Sequence, residues 1–121
     1  MRWIKSFEYA LNGLRKAWTD QLNLRIHCGV LALAVALGFY FKISLWEWCT
    51  IILAGTLVIS LELINSTIET LTDLITPEQN PLAGKAKDVS AAAVLVAAVA
   101  SIIIGIIIFG GRVLEILNLE F

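Results

Sequence analysis

The feature that most constrains this chain is a run of 23 residues without a charged side chain, residues 89–111. As an α-helix rising 1.5 Å per residue, this run spans about 34 Å, enough to cross the hydrocarbon core of a bilayer. Residues 26–41 and 48–61 are also free of charge. Hydrophobic residues make up 59% of the chain, and the mean hydropathy is +0.84. These values are too apolar for an ordinary soluble domain, so the sequence predicts a membrane protein.

We predict an all-α membrane protein in which the 121 residues form one domain, residues 1–121. Three membrane spans are expected at about residues 26–44, 46–75 and 82–112. Residues 2–19 alternate apolar and polar side chains at helical spacing, which predicts an amphipathic helix lying in the membrane interface. A helix packed against the rest of the protein would show the same pattern.

The clearest break in the chain is the segment 76–81, which contains two prolines and several turn-forming residues. A helix is expected to begin there, since proline is tolerated in a first turn. Residues 110–112, Gly-Gly-Arg, are expected to end this last span. Residues 113–121 then read as a short tail.

Basic residues are distributed unevenly between the two sides of the predicted spans. Seven fall on one side and two on the other. Because basic residues are retained in the cytoplasm, this bias predicts a cytoplasmic N-terminus and 76–87 loop, and a C-terminus outside. The net charge of −1 gives no electrostatic reason to expect nucleic acid as a partner. The seven are Arg2, Lys5, Arg15, Lys16, Arg25, Lys85 and Lys87; the two are Lys42 and Arg112.

Polar side chains form one stripe at the end of the second predicted span. Glu62, Asn65, Glu69 and Asp73 are spaced three, four and four residues apart, so a helix carries them on one face. An ionisable residue inside a membrane helix costs about 2.5–3.5 kcal/mol on insertion scales. Apolar residues surround Glu62 in the sequence, and this position is therefore a candidate functional site.

A second polar group, Lys87-Asp88, precedes the last span and is expected on the same side of the membrane. Hard cations such as Mg²⁺ bind carboxylate oxygens together with phosphate. Glu69, near the water end of its helix, is the better metal ligand, and Glu62 is better placed as a base. Lys87 could pair with phosphate oxygens, and Asp88 could hold Lys87 or a ribose hydroxyl. This combination suits phosphoryl transfer to a lipid alcohol.

Simpler interpretations of these residues remain open. Glu69 and Asp73 could form a solvated helix end, Lys85 and Lys87 could be positive-inside anchors, and Asn65 could be an interhelical hydrogen-bonding group. Two other functions also fit part of the pattern. One is a small proton or cation pathway that uses the carboxylate of Glu62. The other is a non-catalytic subunit of a membrane oligomer.

Two motifs together resemble a known family. The first is Glu62-x-x-Asn-Ser-x-Ile-Glu-x-x-x-Asp73 and the second is Ala83-x-x-Ala-Lys-Asp88. At this separation they closely resemble the small prokaryotic integral-membrane diacylglycerol kinases, which include the undecaprenol kinases. The resemblance extends from Arg2 to about Arg112. It implies ATP-dependent phosphorylation of undecaprenol or diacylglycerol in the bacterial inner membrane, with Mg²⁺ as cofactor. It also implies a homotrimer whose active sites are shared between subunits.

The resemblance also implies roles for individual residues. Glu62 matches the catalytic base and Glu69 a metal-binding glutamate. The positions implied to contact the nucleotide are Tyr9, Gln21, Glu69, Glu78, Asn80, Lys87 and Asp88. The positions implied to contact the lipid or frame its site are Arg2, Trp18, Arg25, Trp48, Glu62 and Asn65.

Gln21 departs from the family pattern, because the resemblance implies a second metal-binding glutamate at this position. Glutamine offers a neutral carbonyl oxygen instead of a carboxylate. Three explanations follow: Asp20 substitutes for it, metal affinity is weak, or the chain is an inactivated or engineered variant. The segments 23–27 and 43–48 resemble the undecaprenol kinase branch more than the diacylglycerol kinase branch.

Overall fold

The computed structural model describes residues 1–118, and all regular secondary structure in that range is helical. The helices α2, α3 and α4 are each long and apolar enough to cross a membrane, as the three predicted spans require. The placement of α1 in the membrane interface stays a prediction. The four helices are α1 Arg2–Asp20, α2 Leu22–Phe41, α3 Leu45–Ile75 and α4 Pro81–Ile116.

The boundaries of α2 differ from the predicted 26–44 because single residues define both of its ends. Gln21 has extended backbone angles, and its N–H donates to the carbonyl of Ala17 at 2.8 Å, which closes α1. This one residue separates two helices, so α2 starts at once, at Leu22. At the other end Lys42 adopts the left-handed conformation with φ 50°. That conformation is a common helix terminator, and α2 therefore ends at Phe41.

The N-terminus of α3 is held by a capping box. The hydroxyl of Ser44 accepts from the N–H of Glu47 at 3.3 Å. The carboxylate of Glu47 accepts from the N–H of Ser44 at 3.0 Å. Two backbone donors that a helix start leaves unpaired are thereby satisfied.

The helix α4 begins as the sequence predicts but continues further. The side chain of Asn80 caps it by accepting from the N–H of Leu82 at 2.9 Å, and Pro81 occupies the first helical position. The expectation that residues 113–116 belong to a tail is wrong, because α4 runs to Ile116. Two glycines in a helix interior cost about 1 kcal/mol each, too little to end a long apolar helix. The part of the expected tail in residues 119–121 lies outside the described residues.

The start of α3 and the end of α4 are joined by an ion pair. Arg112 contacts both carboxylate oxygens of Glu47, Nη1 to Oε2 at 2.9 Å and Nη2 to Oε1 at 3.1 Å. Such a two-point contact has a defined geometry. Glu47 therefore both caps α3 and aligns α4 antiparallel to it.

The helix α3 is central, since it packs along α4 and along α2, whereas α2 and α4 barely touch. An apolar groove of about 760 Å³ lies over α3 between α2 and α4. One buried cluster, near the α2–α3 connection, contains Ile43, Ile51, Ile108 and Phe109. A second cluster, nearer the acidic stripe, contains Val58, Val94 and Ala97.

Two glycines set the register of the antiparallel pair α2 and α3. A Cβ on Gly38 would lie 2.7 Å from the indole ring of Trp48, and one on Gly55 would lie 2.5 Å from the side chain of Leu31. Both contacts fit the same antiparallel register. Continued toward the start of α2, this register brings Leu24 opposite Glu62.

We expect Gly38→Ala to destabilise the fold by about 1–3 kcal/mol, because the rigid ring of Trp48 must move to admit the methyl group. The matched control is Gly29→Ala in the same helix, where the added Cβ meets nothing within 4 Å. That control is expected to be neutral or to stabilise by up to about 1 kcal/mol through helix propensity. Thermal unfolding in detergent measures both variants. Equal unfolding midpoints for Gly38→Ala and Gly29→Ala would contradict the close packing of α2 on α3.

Candidate active site

Two polar side chains are buried in the middle of the helix bundle. Glu62 is 3% exposed and Asn65 is 8% exposed, and both lie on the inner face of α3. Glu69 follows Glu62 by seven residues on the same face of α3, about two helical turns further along. His27 lines the apolar groove. Nothing near His27 in the sequence indicates this position, because it depends on how α2 packs on α3.

Asn65 is held by a hydrogen bond from a neighbouring helix. The hydroxyl of Ser90, on α4, donates to the Oδ1 atom of Asn65. With its oxygen occupied in this way, the amide has its N–H donors left for other partners. Ser90 was also not predicted. It lies three residues after Lys87, on the same side of α4, which is the one signal that could have suggested it.

The ammonium of Lys87 pairs with Asp73, at the end of α3. The expectation that Asp88 could hold Lys87 is therefore replaced by a contact between two helices. Asp88 itself is exposed. The side chain of Lys87 keeps about a third of its surface exposed, so water and solutes reach its nitrogen.

A polar cavity of about 520 Å³ opens where α3 passes into α4. Asp73 and Lys87 line it together with Glu78 and Asn80 of the connecting segment. The structure thus brings together three of the residues predicted to contact a nucleotide: Lys87, Glu78 and Asn80. The side-chain oxygen of Asn80 is already used to cap α4.

Gln21 lies at the junction of α1 and α2 and is half-buried. Counted back along α2 from the contacts of Gly38 and Gly55, position 21 corresponds to position 65 of α3. Glu69 is also half-buried. The metal role that the resemblance implies for Gln21 stays a prediction.

Other predicted site residues are not gathered around Glu62 within one chain. Trp48 lies 14 residues earlier on α3, about 21 Å away along the helix axis, where it packs against Phe39. Arg2, Tyr9 and Trp18 are exposed on α1, which packs mainly on α2. Arg25 is exposed on α2.

The carboxylate of Glu69, half-buried on α3, is the kind of oxygen ligand that a hard cation takes together with a phosphate group. Within residues 1–118, no three His, Cys, Asp or Glu side chains converge to hold a metal ion by themselves. Mg²⁺ is usually bound by one or two carboxylates, with substrate phosphates and water completing its shell. Glu69 offers a carboxylate and Gln21 an amide oxygen, and both groups are donors of that kind.

Comparison with known proteins identifies the family of this chain. Residues 8–109 match the family model described as prokaryotic diacylglycerol kinase. An undecaprenol kinase of Bacillus subtilis (strain 168) is 41% identical over 108 residues, which cover 89% of this chain and 88% of that protein. A diacylglycerol kinase of Escherichia coli (strain K12) is 34% identical over 102 residues, 84% of each chain. One of Haemophilus influenzae is 35% identical over 94 residues, 78% of this chain and 80% of that protein.

Proposed function

Because this chain belongs to the prokaryotic diacylglycerol kinase family, we propose that it transfers the γ-phosphoryl group of ATP to the hydroxyl of undecaprenol. The product is the lipid monophosphate, formed at the cytoplasmic surface of the bacterial inner membrane. Identity favours this lipid, since the undecaprenol kinase of Bacillus subtilis is 41% identical and the diacylglycerol kinases of Escherichia coli and Haemophilus influenzae are 34–35% identical. Diacylglycerol is the second candidate, because those two relatives carry its name.

The observation that carries the proposal is the burial of the Glu62 carboxylate, 3% exposed, on a membrane-spanning helix. A carboxylate is energetically costly inside a membrane helix, and its presence there therefore indicates a functional site. Glu69 follows Glu62 by about two turns and Asp73 follows it by about three, on the same face of α3. A base at that depth reaches an alcohol that lies in the bilayer, while the phosphate donor arrives from water.

Each polar residue then has a role in the transfer. Glu62 accepts the proton of the lipid hydroxyl. Asn65, oriented by Ser90, lines the site beside it. Lys87 binds phosphate oxygens of ATP. Glu69 and Gln21 are the residues that would hold Mg²⁺, which neutralises phosphate charge when bound.

The 520 Å³ polar cavity is the proposed nucleotide site on this chain. Glu78 and Asn80 line it, and Asp88 lies one residue beyond Lys87. Tyr9 is proposed to complete the site from α1. The proposed lipid contacts, besides Glu62 and Asn65, are Arg2, Trp18, Arg25 and Trp48.

A homotrimer with shared active sites would reconcile these roles with the structure. Tyr9 and Arg2 are exposed and belong to a helix that packs mainly on α2 of its own chain. In a trimer, α1 of one subunit can complete the site of the next. We propose that α1 lies on the cytoplasmic membrane surface and that the C-terminus lies outside.

The proposed function is tested by phosphate transfer from γ-labelled ATP in phosphatidylcholine vesicles that contain the full chain and one lipid alcohol. We expect labelled lipid monophosphate with undecaprenol, and a lower kcat/KM with diacylglycerol. A higher kcat/KM for diacylglycerol would overturn the choice of lipid. No labelled lipid with either alcohol would overturn the kinase assignment.

Gln21→Glu is expected to lower the Mg²⁺ concentration needed for half-maximal transfer by about tenfold, since a charged ligand replaces a neutral one. Titration of activity with MgCl₂ measures this shift. Asp20→Asn is the companion variant: if Asp20 substitutes for the missing glutamate, this change raises the Mg²⁺ requirement. An unchanged titration midpoint in Gln21→Glu would contradict a metal role for this position.

A further inference from the structure

The contact between Asp73 and Lys87 joins two helices across the segment that connects them. Asp73 lies in the last turn of α3, and Lys87 lies in the second turn of α4. The ammonium donates a hydrogen bond to the Oδ1 atom of the carboxylate. Both side chains line the 520 Å³ polar cavity.

Stability alone does not account for this ion pair. The side chain of Asp73 is 64% exposed and that of Lys87 is 37% exposed. Ion pairs with this exposure contribute little to folding, because water screens the charges and two side chains must be ordered. The contact does, however, decide where the nitrogen of Lys87 lies relative to the cavity.

An ammonium carries three N–H donors, and Asp73 uses one of them. Two donors therefore stay free for phosphate oxygens while the carboxylate remains in place. Lysine has a long, flexible stem, and ordering it before the ligand arrives removes part of the entropic cost of binding. In contrast, Asp73 also places a negative charge beside the proposed triphosphate site, which by itself would weaken ATP binding.

We propose that Asp73 is a positioning residue of the nucleotide site: its carboxylate holds the ammonium of Lys87 at the cavity wall, so that the free N–H donors bind phosphate oxygens of ATP. This inference rests on the proposed function, in which Lys87 contacts phosphate. It adds a residue that acts through Lys87 and does not itself touch the nucleotide. Preordering by Asp73 strengthens ATP binding and repulsion by Asp73 weakens it. The direction in which the Kd for ATP changes in a single substitution therefore separates the two effects.

The test is Asp73→Asn in the full chain, reconstituted in phosphatidylcholine vesicles with undecaprenol. Preordering predicts that the KM for ATP and the Kd of Mg²⁺-ATP measured by calorimetry both rise by about tenfold. The KM for undecaprenol is expected to stay within about twofold, because Asp73 lies at the water end of α3, away from Glu62. Asp73→Glu keeps the charge and is expected to restore part of the affinity. An unchanged or lower Kd for ATP in Asp73→Asn would overturn the proposal.

Three controls make each outcome decisive. Glu115→Gln removes an exposed carboxylate from the far end of α4 and is expected to leave the Kd unchanged. In a Lys87→Met background, Asp73→Asn is expected to add no further loss, and independent additive losses would contradict action through Lys87. An unfolding midpoint that falls in step with the Kd change would assign Asp73 a structural role instead.

The direct binding measurement also separates this inference from the proposed function. If the unmodified chain binds ATP but phosphorylates no lipid alcohol, the proposed function fails, and the Kd values still decide the role of Asp73. If the unmodified chain transfers phosphate and Asp73→Asn binds ATP equally well, only the inference about Asp73 fails. If the chain binds no ATP, both fail.

Discussion

Replacing Glu62 with glutamine is expected to lower kcat for phosphoryl transfer to undecaprenol by about a thousandfold, because an amide cannot accept the hydroxyl proton. Glutamine keeps the shape of the side chain and removes its charge from a position that is 3% exposed. The fold is therefore expected to persist, and the Kd for Mg²⁺-ATP is expected to change little. Initial rates of transfer from labelled ATP, together with calorimetry, measure the two quantities.

The matched control for this variant is Glu115→Gln, the same chemical change at an exposed position of α4. Its kcat is expected to equal that of the unmodified chain. If Glu62→Gln transfers phosphate at a rate within about twofold of this control, Glu62 is not the base. A loss of both ATP binding and folding would instead give the buried carboxylate a structural role.

Lys87→Met is expected to lower kcat/KM for ATP by about a hundredfold, because one charged donor to the transferring phosphate is lost. Methionine retains the apolar stem of lysine and removes the ammonium. The change also breaks the ion pair with Asp73, although a pair this exposed contributes little to stability. The measurement is the initial rate of lipid phosphorylation at several ATP concentrations.

Lys85→Met provides the comparison, since Lys85 is an exposed lysine two residues away on the same helix. If both lysines are only positive-inside anchors, the two substitutions should lower kcat/KM for ATP by equal, small amounts. A role in phosphate binding predicts a loss for Lys87 alone. Equal activity of Lys85→Met and Lys87→Met would remove Lys87 from the nucleotide site.

The helices could be predicted from the sequence because the signals are local. Uncharged runs long enough to span a bilayer predict three spans, and α2, α3 and α4 follow them. The prolines at positions 77 and 81 predict the connection between α3 and α4, and Pro81 is the first residue of α4. The stripe that contains Glu62 and Asn65 is also a local pattern, and the structure buries both of these side chains.

Contacts between helices could not be predicted in the same way, because they depend on register. The contact that holds the end of α4 against the start of α3, between Arg112 and Glu47, joins residues 65 positions apart. Similarly, nothing near Asn65 in the sequence points to Ser90, 25 positions later. The sequence offers Asp88, its neighbour, as one possible partner for Lys87, whereas the antiparallel packing of α3 and α4 pairs Lys87 with Asp73.

The proton-pathway alternative explains a carboxylate within a membrane helix but does not explain the polar cavity. That cavity gathers Glu78, Asn80 and Lys87 at the connection of α3 and α4. A pathway for protons has no need of a lysine beside a nucleotide-sized space. The two functions also differ in what they consume, since a kinase converts one ATP for each lipid phosphorylated.

The most direct measurement is the stoichiometry of ADP and lipid monophosphate formed by the unmodified chain in vesicles that contain undecaprenol, with internal pH recorded at the same time. Equal amounts of ADP and undecaprenyl monophosphate are expected, both dependent on Mg²⁺ and both lost in Glu62→Gln. Proton flux that depends on Glu62 and proceeds without ATP consumption would contradict the proposed function.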